Sequence, residues 1–133
     1  MIFSIINNNM SLSSLPPYGD TELNTKVPFF NTVSESILEE LKRGVNKENR
    51  ERLISEINEC LELMRSIRVR VHQVMSASRK QLHNLNERSL IEERQEIVDI
   101  NQRLTKLTEL QKKLLGISKE IRDKASLIGI DIL

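Results

Sequence analysis

Between Met64 and Asn86 the chain carries Arg65, Arg68, Arg70, Arg79 and Lys80, with His72 and His83 among them, and no acidic residue. Cations gathered without counter-charges form the pattern that holds phosphate or an acidic partner helix. No aromatic side chain lies between these bases, so the segment offers phosphate contacts without a platform for base stacking. The competing reading is a solvated face neutralised by acidic neighbours. Residues 32–63 hold eight acids against five bases, and residues 87–133 hold nine of each.

Other chemistry finds few residues to work with. His72 and His83 stand eleven residues apart, roughly 16 Å along a helix, too far for one metal ion. No His-x-x-x-His or Glu-x-x-His pair occurs, and Cys60 is the single cysteine, which excludes a cysteine-built zinc site or a disulfide within one chain. There is no glycine-rich phosphate loop and no Ser/His/Asp set on a scaffold that would assemble it. Cys60 falls among apolar neighbours, where an inert buried thiol is the default. The expectation is a protein that is not an enzyme, with no catalytic residue, metal or cofactor.

The elements that position these residues are read from hydrophobic spacing. Ile54, Ile57, Leu61, Met64, Val71, Met75, Leu82 and Leu85 follow alternating three- and four-residue steps. A second track holds Leu90, Ile97, Ile100, Leu104, Leu107, Leu114, Ile121, Ala125 and Ile128, one residue out of phase with the first. Such heptad spacing keeps one apolar stripe against a neighbouring helix over many turns. Arg68 and Ser78 interrupt the first seam. A charge at Arg68 either selects a partner carboxylate or snorkels its head to water. Leu53, Cys60, Ile67 and Val74 widen the stripe beyond what a two-stranded coil needs, which suits a bundle.

These tracks predict an all-α fold: a short N-terminal helix over about 32–43, then long helices over about 47–84 and 89–127 paired as an antiparallel hairpin or coiled coil. One continuous long helix is the alternative, because His83-Asn84-Leu85-Asn86-Glu87-Arg88-Ser89 contains neither Gly nor Pro. The phase slip, the two Asn and the Ser89-Leu90-Ile91-Glu92 capping box favour a turn there. Thr32-Val33-Ser34-Glu35 is a second capping box, Gly44 a C-terminal cap, and Asn46 or Asn49 the cap of the next helix. Residues 1–31 read as a flexible leader and 32–133 as one helical domain. Within the leader, Leu15-Pro16-Pro17-Tyr18 resembles ligands of WW domains, and a plain turn explains the same residues.

A two-helix hairpin buries one seam and leaves Leu53, Ile67, Val74, Leu110, Leu115 and Ile117 partly wet. Each gains roughly 1.5–3 kcal/mol on full burial, so the expectation is a non-catalytic scaffold or adaptor subunit that binds helical partners, homo- or hetero-oligomeric. The expected partner interface is Leu53, Ile54, Ile57, Leu61, Met64, Ile67, Val71, Val74, Met75, Leu82, Ile97, Ile100, Leu104, Leu107, Leu110, Leu114, Ile117 and Ile121. Two alternatives use the docking strip of Arg65, Arg68, Arg70, Arg79 and Lys80: a nucleic-acid-associated factor, or a membrane-surface or cytoskeletal adaptor. A net charge of only +1 over 133 residues commits the chain to neither. The apolar start Met1-Ile2-Phe3-Ser4-Ile5-Ile6 is too short to span a bilayer and lacks the basic flank of a signal peptide, so a cytoplasmic or nuclear protein without a transmembrane segment is expected.

Overall fold

A computed structural model describes residues 18–88 and 94–130, with residues 86–88 described by backbone alone. The described residues are all-helical: α1 (Thr21–Arg43), α2 (Arg50–Arg88) and α3 (Arg94–Leu127). α2 continues through residues 84–88, where the turn was expected to begin; the Ser89 capping box lies in residues 89–93, outside the described residues, as do Leu15, Pro16 and Pro17. The last apolar pair, Ile132 and Leu133, lies outside them too. The chain divides into two compact units, Met1–Thr25 with Arg68–Gln111, and Lys26–Ile67 with Lys112–Leu133.

The first helix corrects the sequence reading. It begins at Thr21, within the expected leader, and runs straight through the supposed capping box at Thr32. Thr32 Oγ1 donates to the Pro28 carbonyl at 3.1 Å and Ser34 Oγ to that of Asn31 at 3.1 Å, the back-bonds of residues inside a helix. The true cap is Asp20, whose Oδ2 accepts the Leu23 amide at 3.1 Å. Pro28 inside the helix removes one backbone donor and costs about 3 kcal/mol in a helix interior. Carrying the helix past it buries Val27 and Phe30, worth roughly 1.5–3 kcal/mol each. Burial wins, and Pro28 itself stands exposed.

Unit 1 builds its core from Leu23, Val71, Met75, Leu85, Ile100, Leu107 and Leu110. Side chains of α2 and α3 meet there at increasing sequence separation. Gln81 Nε2 donates to Glu96 at 2.7 Å, Arg103 Nη1 to Ser78 Oγ at 3.5 Å, and Gln111 Nε2 lies 3.4 Å from His72 Nε2.

Unit 2 buries Val27, Phe30, Ile37 and Leu41 of α1, Leu53, Ile57, Cys60, Leu61, Met64 and Ile67 of α2, and Leu114, Ile121 and Ala125 of α3. The link from α1 to α2 is made of small reciprocal bonds. Asn46 Oδ1 accepts the amides of Glu48 and Asn49, while Asn49 Oδ1 accepts that of Asn46 at 2.8 Å, a capping box with asparagine at both ends. Gly44 follows α1 at a φ of 113°, as a helix-ending glycine should. At the other end, Gly129 (φ 81°) lets the Ile130 amide reach the Ala125 carbonyl at 2.9 Å and tucks Ile130 into the core. Arg50 Nη2 holds the Gly129 carbonyl at 2.9 Å.

Candidate interaction surface

The basic strip does not survive as a set of free cations. Arg65 pairs with Glu62 at 2.7 Å on its own helix. Arg70 is taken by Asp20 through two arms, Nε to Oδ2 at 3.0 Å and Nη2 to Oδ1 at 2.5 Å, with Glu22 at 3.9 Å. That guanidinium holds the Asp20 carboxyl below the ordinary carboxylate range, against an opposing push from burial. Arg68 is half-buried and its Nε has no hydrogen-bond partner, so it neither joins a free strip nor finds a carboxylate among the described residues. Arg79 and Lys80 are the strip's exposed remainder. The acidic partner of Arg70 comes from a segment assigned to the leader, which is why the sequence pattern overstated the free charge.

Most of the expected partner interface is the chain's own core. Of those residues, all but Ile54, Val74, Leu82, Ile97, Leu104 and Ile117 are buried within the single chain. The expectation that Leu53, Ile67 and Leu110 stand wet is corrected: they are buried. The reason is the third apolar element that a bare hairpin lacks. Leu23, Val27, Phe30, Ser34, Ile37 and Leu41 form a heptad track of their own on α1, and all six are buried. That track was present in the sequence and was hidden by Pro28 and the Thr32 cap motif. Leu115 remains exposed, as expected.

One open apolar groove lies in unit 2. Phe29, Thr32, Val33 and Ser36 of α1 face Glu56, Glu59, Cys60 and Leu63 of α2 around a space of about 500 Å³. Phe29 is 60% exposed at its mouth, the bulkiest of the exposed apolar side chains among the described residues. Glu56 is engaged by Arg52 at 2.8 Å, whereas Glu59 is exposed and has no partner among the described residues. Cys60 forms part of the wall but is buried, and burial pushes its thiol up to about 11, far from a reactive thiolate. The groove therefore supplies an apolar floor with an acidic rim. It can hold a side chain or a helix ridge.

A second, smaller space of about 220 Å³ lies in unit 1 among Asp20, Arg70, Gln73, Val74, Ala77, Ser78, Gln81 and Arg103. Gly19 (φ 68°) lies against Arg103: a Cβ there would come within 2.8 Å of Nε. Its main charged groups, Asp20 and Arg70, are paired with one another.

Among the described residues, no group of three or more His, Cys, Asp or Glu could hold a metal ion, and no helix is long and apolar enough to cross a membrane. His72 lies beside Gln111, and nothing brings it to His83. Compared with protein-family models, with curated proteins and with solved structures, the chain matches none.

Proposed function

We propose that this chain is a non-catalytic helical scaffold or adaptor subunit of a multiprotein complex, acting by helix–helix association through the α1/α2 groove of unit 2. The observation that carries the reading is Phe29: a large aromatic side chain held 60% open at the mouth of an apolar space of about 500 Å³. Leaving it wet forfeits on the order of 1–2 kcal/mol that a partner's apolar side chain would recover. In this reading α2 and α3 pair as an antiparallel hairpin. The pairs Gln81–Glu96, Ser78–Arg103 and His72–Gln111 support that arrangement, since the first partner descends as the second ascends. A hairpin partly covered by α1 presents a smaller apolar surface than a bare one, so the partner covers a groove rather than the whole a/d seam.

The charge distribution weighs against the phosphate-binding readings. With Arg65 and Arg70 paired with carboxylates, the strip keeps two exposed cations, Arg79 and Lys80, a weak electrostatic footprint. The test is purification of the tagged full chain from its native cells with nuclease treatment and a salt series, beside a Phe29→Glu variant. Helical partners that persist at high salt with the native chain and vanish with the variant support the scaffold reading. Companions that leave with nuclease or salt, and do not notice the substitution, overturn it in favour of a charge-driven binder.

A further inference from the structure

The groove of unit 2 needs an occupant, and the same chain displays one. On α3, Lys112, Leu115, Gly116 and Lys119 recur at helical spacing on the solvent face, and all four are exposed. Leu115 is 49% exposed. Lys119 is paired with Asp123 at 2.8 Å, whereas Lys112 has no ion-pair partner among the described residues. The ridge is thus an apolar knob with a free cation one turn before it. The groove is an apolar hole with a free carboxylate, Glu59, at its rim. Shape and charge are complementary in kind.

Gly116 adds an independent observation. A glycine within a helix costs about 1 kcal/mol relative to alanine, and a Cβ there would meet nothing within 4 Å. Among the described residues, nothing makes use of its missing side chain. Beside Leu115 it lowers the ridge and lets a facing helix pair approach the α3 backbone, which is the one use its position offers.

We infer that a second copy of this chain seats the Leu115–Gly116 ridge of its α3 in the α1/α2 groove, with Leu115 against Phe29, Val33 and Leu63 and Lys112 facing Glu59. This rests on the reading of the groove as a docking site and names its occupant. Ridge and groove are different surfaces of one molecule, so the contact either repeats head-to-tail or closes as a two-fold pair in which each ridge fills the other copy's groove. One helix ridge in one groove falls at the small end of specific interfaces. Self-association is accordingly weak, concentration-dependent and reduced by salt, because the Lys112–Glu59 contact lies at a solvated rim.

The experiment is sedimentation velocity of the purified full chain up to roughly 100 µM, a concentration suited to small, weak interfaces. It compares the native chain with Glu59→Lys and Lys112→Glu, each alone and mixed in equal amounts. The native chain should associate progressively. Each single variant brings like charges together and should weaken association about tenfold. The mixture should recover it, because every groove–ridge contact between the two variants again joins opposite charges. Recovery in the mixture is specific to a contact that sets position 59 of one copy against position 112 of another. A native chain that stays monomeric overturns the inference, and so do single variants that associate like the native chain or a mixture that does not recover. A monomeric purified chain whose cellular partners still depend on Phe29 would sink self-association while leaving the scaffold reading standing. Self-association that follows the charge pattern, with no Phe29-dependent partner in cells, would do the reverse.

Discussion

Asp20 does two jobs with one carboxylate. It caps α1 by accepting the Leu23 amide, and it binds the Arg70 guanidinium of α2 with two arms. Asparagine keeps a cap acceptor and removes the charge, whereas alanine removes both. Asp20→Asn should therefore lower stability by about 1 kcal/mol, discounted because Arg70 is about a third exposed (35%). Asp20→Ala should lower it by about 2 kcal/mol, the cap adding roughly 1. Urea unfolding of the two variants separates the contributions. The pH dependence follows from the depressed carboxyl. The folded chain takes up this proton less readily than the unfolded chain, so the stabilisation is complete above the ordinary carboxylate range. It is lost as pH falls through the lowered folded value. The gap between native chain and Asp20→Asn should shrink on acidification in urea titrations at pH 7 and pH 3. A gap that stayed constant would mean that Arg70 does not hold the charged form.

At the scale of the element, α1 shows what the sequence made legible and what it obscured. The long track of α2 could be read because eight of ten seam positions from Ile54 to Leu85 are apolar and no Gly or Pro interrupts it, and that of α3 because its glycine, Gly116, falls off the seam. The end expected for α3 near residue 127 agrees with the observed end at Leu127. The start of α1 was not: Pro28 and Thr32-Val33-Ser34-Glu35 are local stop and start signals, and tertiary burial of Val27, Phe30 and Ser34 overrode both. The groove depends on that missed helix, so the candidate site was illegible until α1 was extended. Two substitutions test the balance. Pro28→Ala restores a helix hydrogen bond on an exposed face and should raise stability by roughly 1–3 kcal/mol, less a few tenths for the freer unfolded chain. Gly129→Ala places a Cβ at positive φ, where no neighbour lies within 4 Å. Its cost of about 1 kcal/mol is therefore purely backbone strain. Thermal unfolding followed by helical circular dichroism reads both, and a destabilising Pro28→Ala would mean that the proline is needed where it stands.

The whole molecule carries a natural probe in each unit. Tyr18 is the single tyrosine and there is no tryptophan, so intrinsic fluorescence reports on unit 1, where burial raises the Tyr18 phenol above its ordinary range. Cys60 is the single thiol and is buried in unit 2, its pKa pushed up to about 11, so alkylation at neutral pH reads opening of unit 2. The two units share every helix. Only Thr21–Thr25 of α1 belongs to unit 1, far short of the 12–15 residues below which isolated helices are marginal. The first turn and its Asp20 cap therefore have no stability of their own apart from the rest of α1. Melting unit 2 unravels the helix that Asp20 caps, and releasing Asp20 leaves Leu23 to fray. Cooperative unfolding in one step is the expected outcome, with Tyr18 fluorescence and Cys60 alkylation sharing a urea midpoint. Cys60 modification in native buffer should be slow and should accelerate with urea in proportion to the opened fraction. A thiol that reacts well before the fluorescence changes would instead make unit 2, and the groove within it, a region that opens separately. The Phe29 and Leu115 surfaces would then have to be read as those of a segment ordered by its partner.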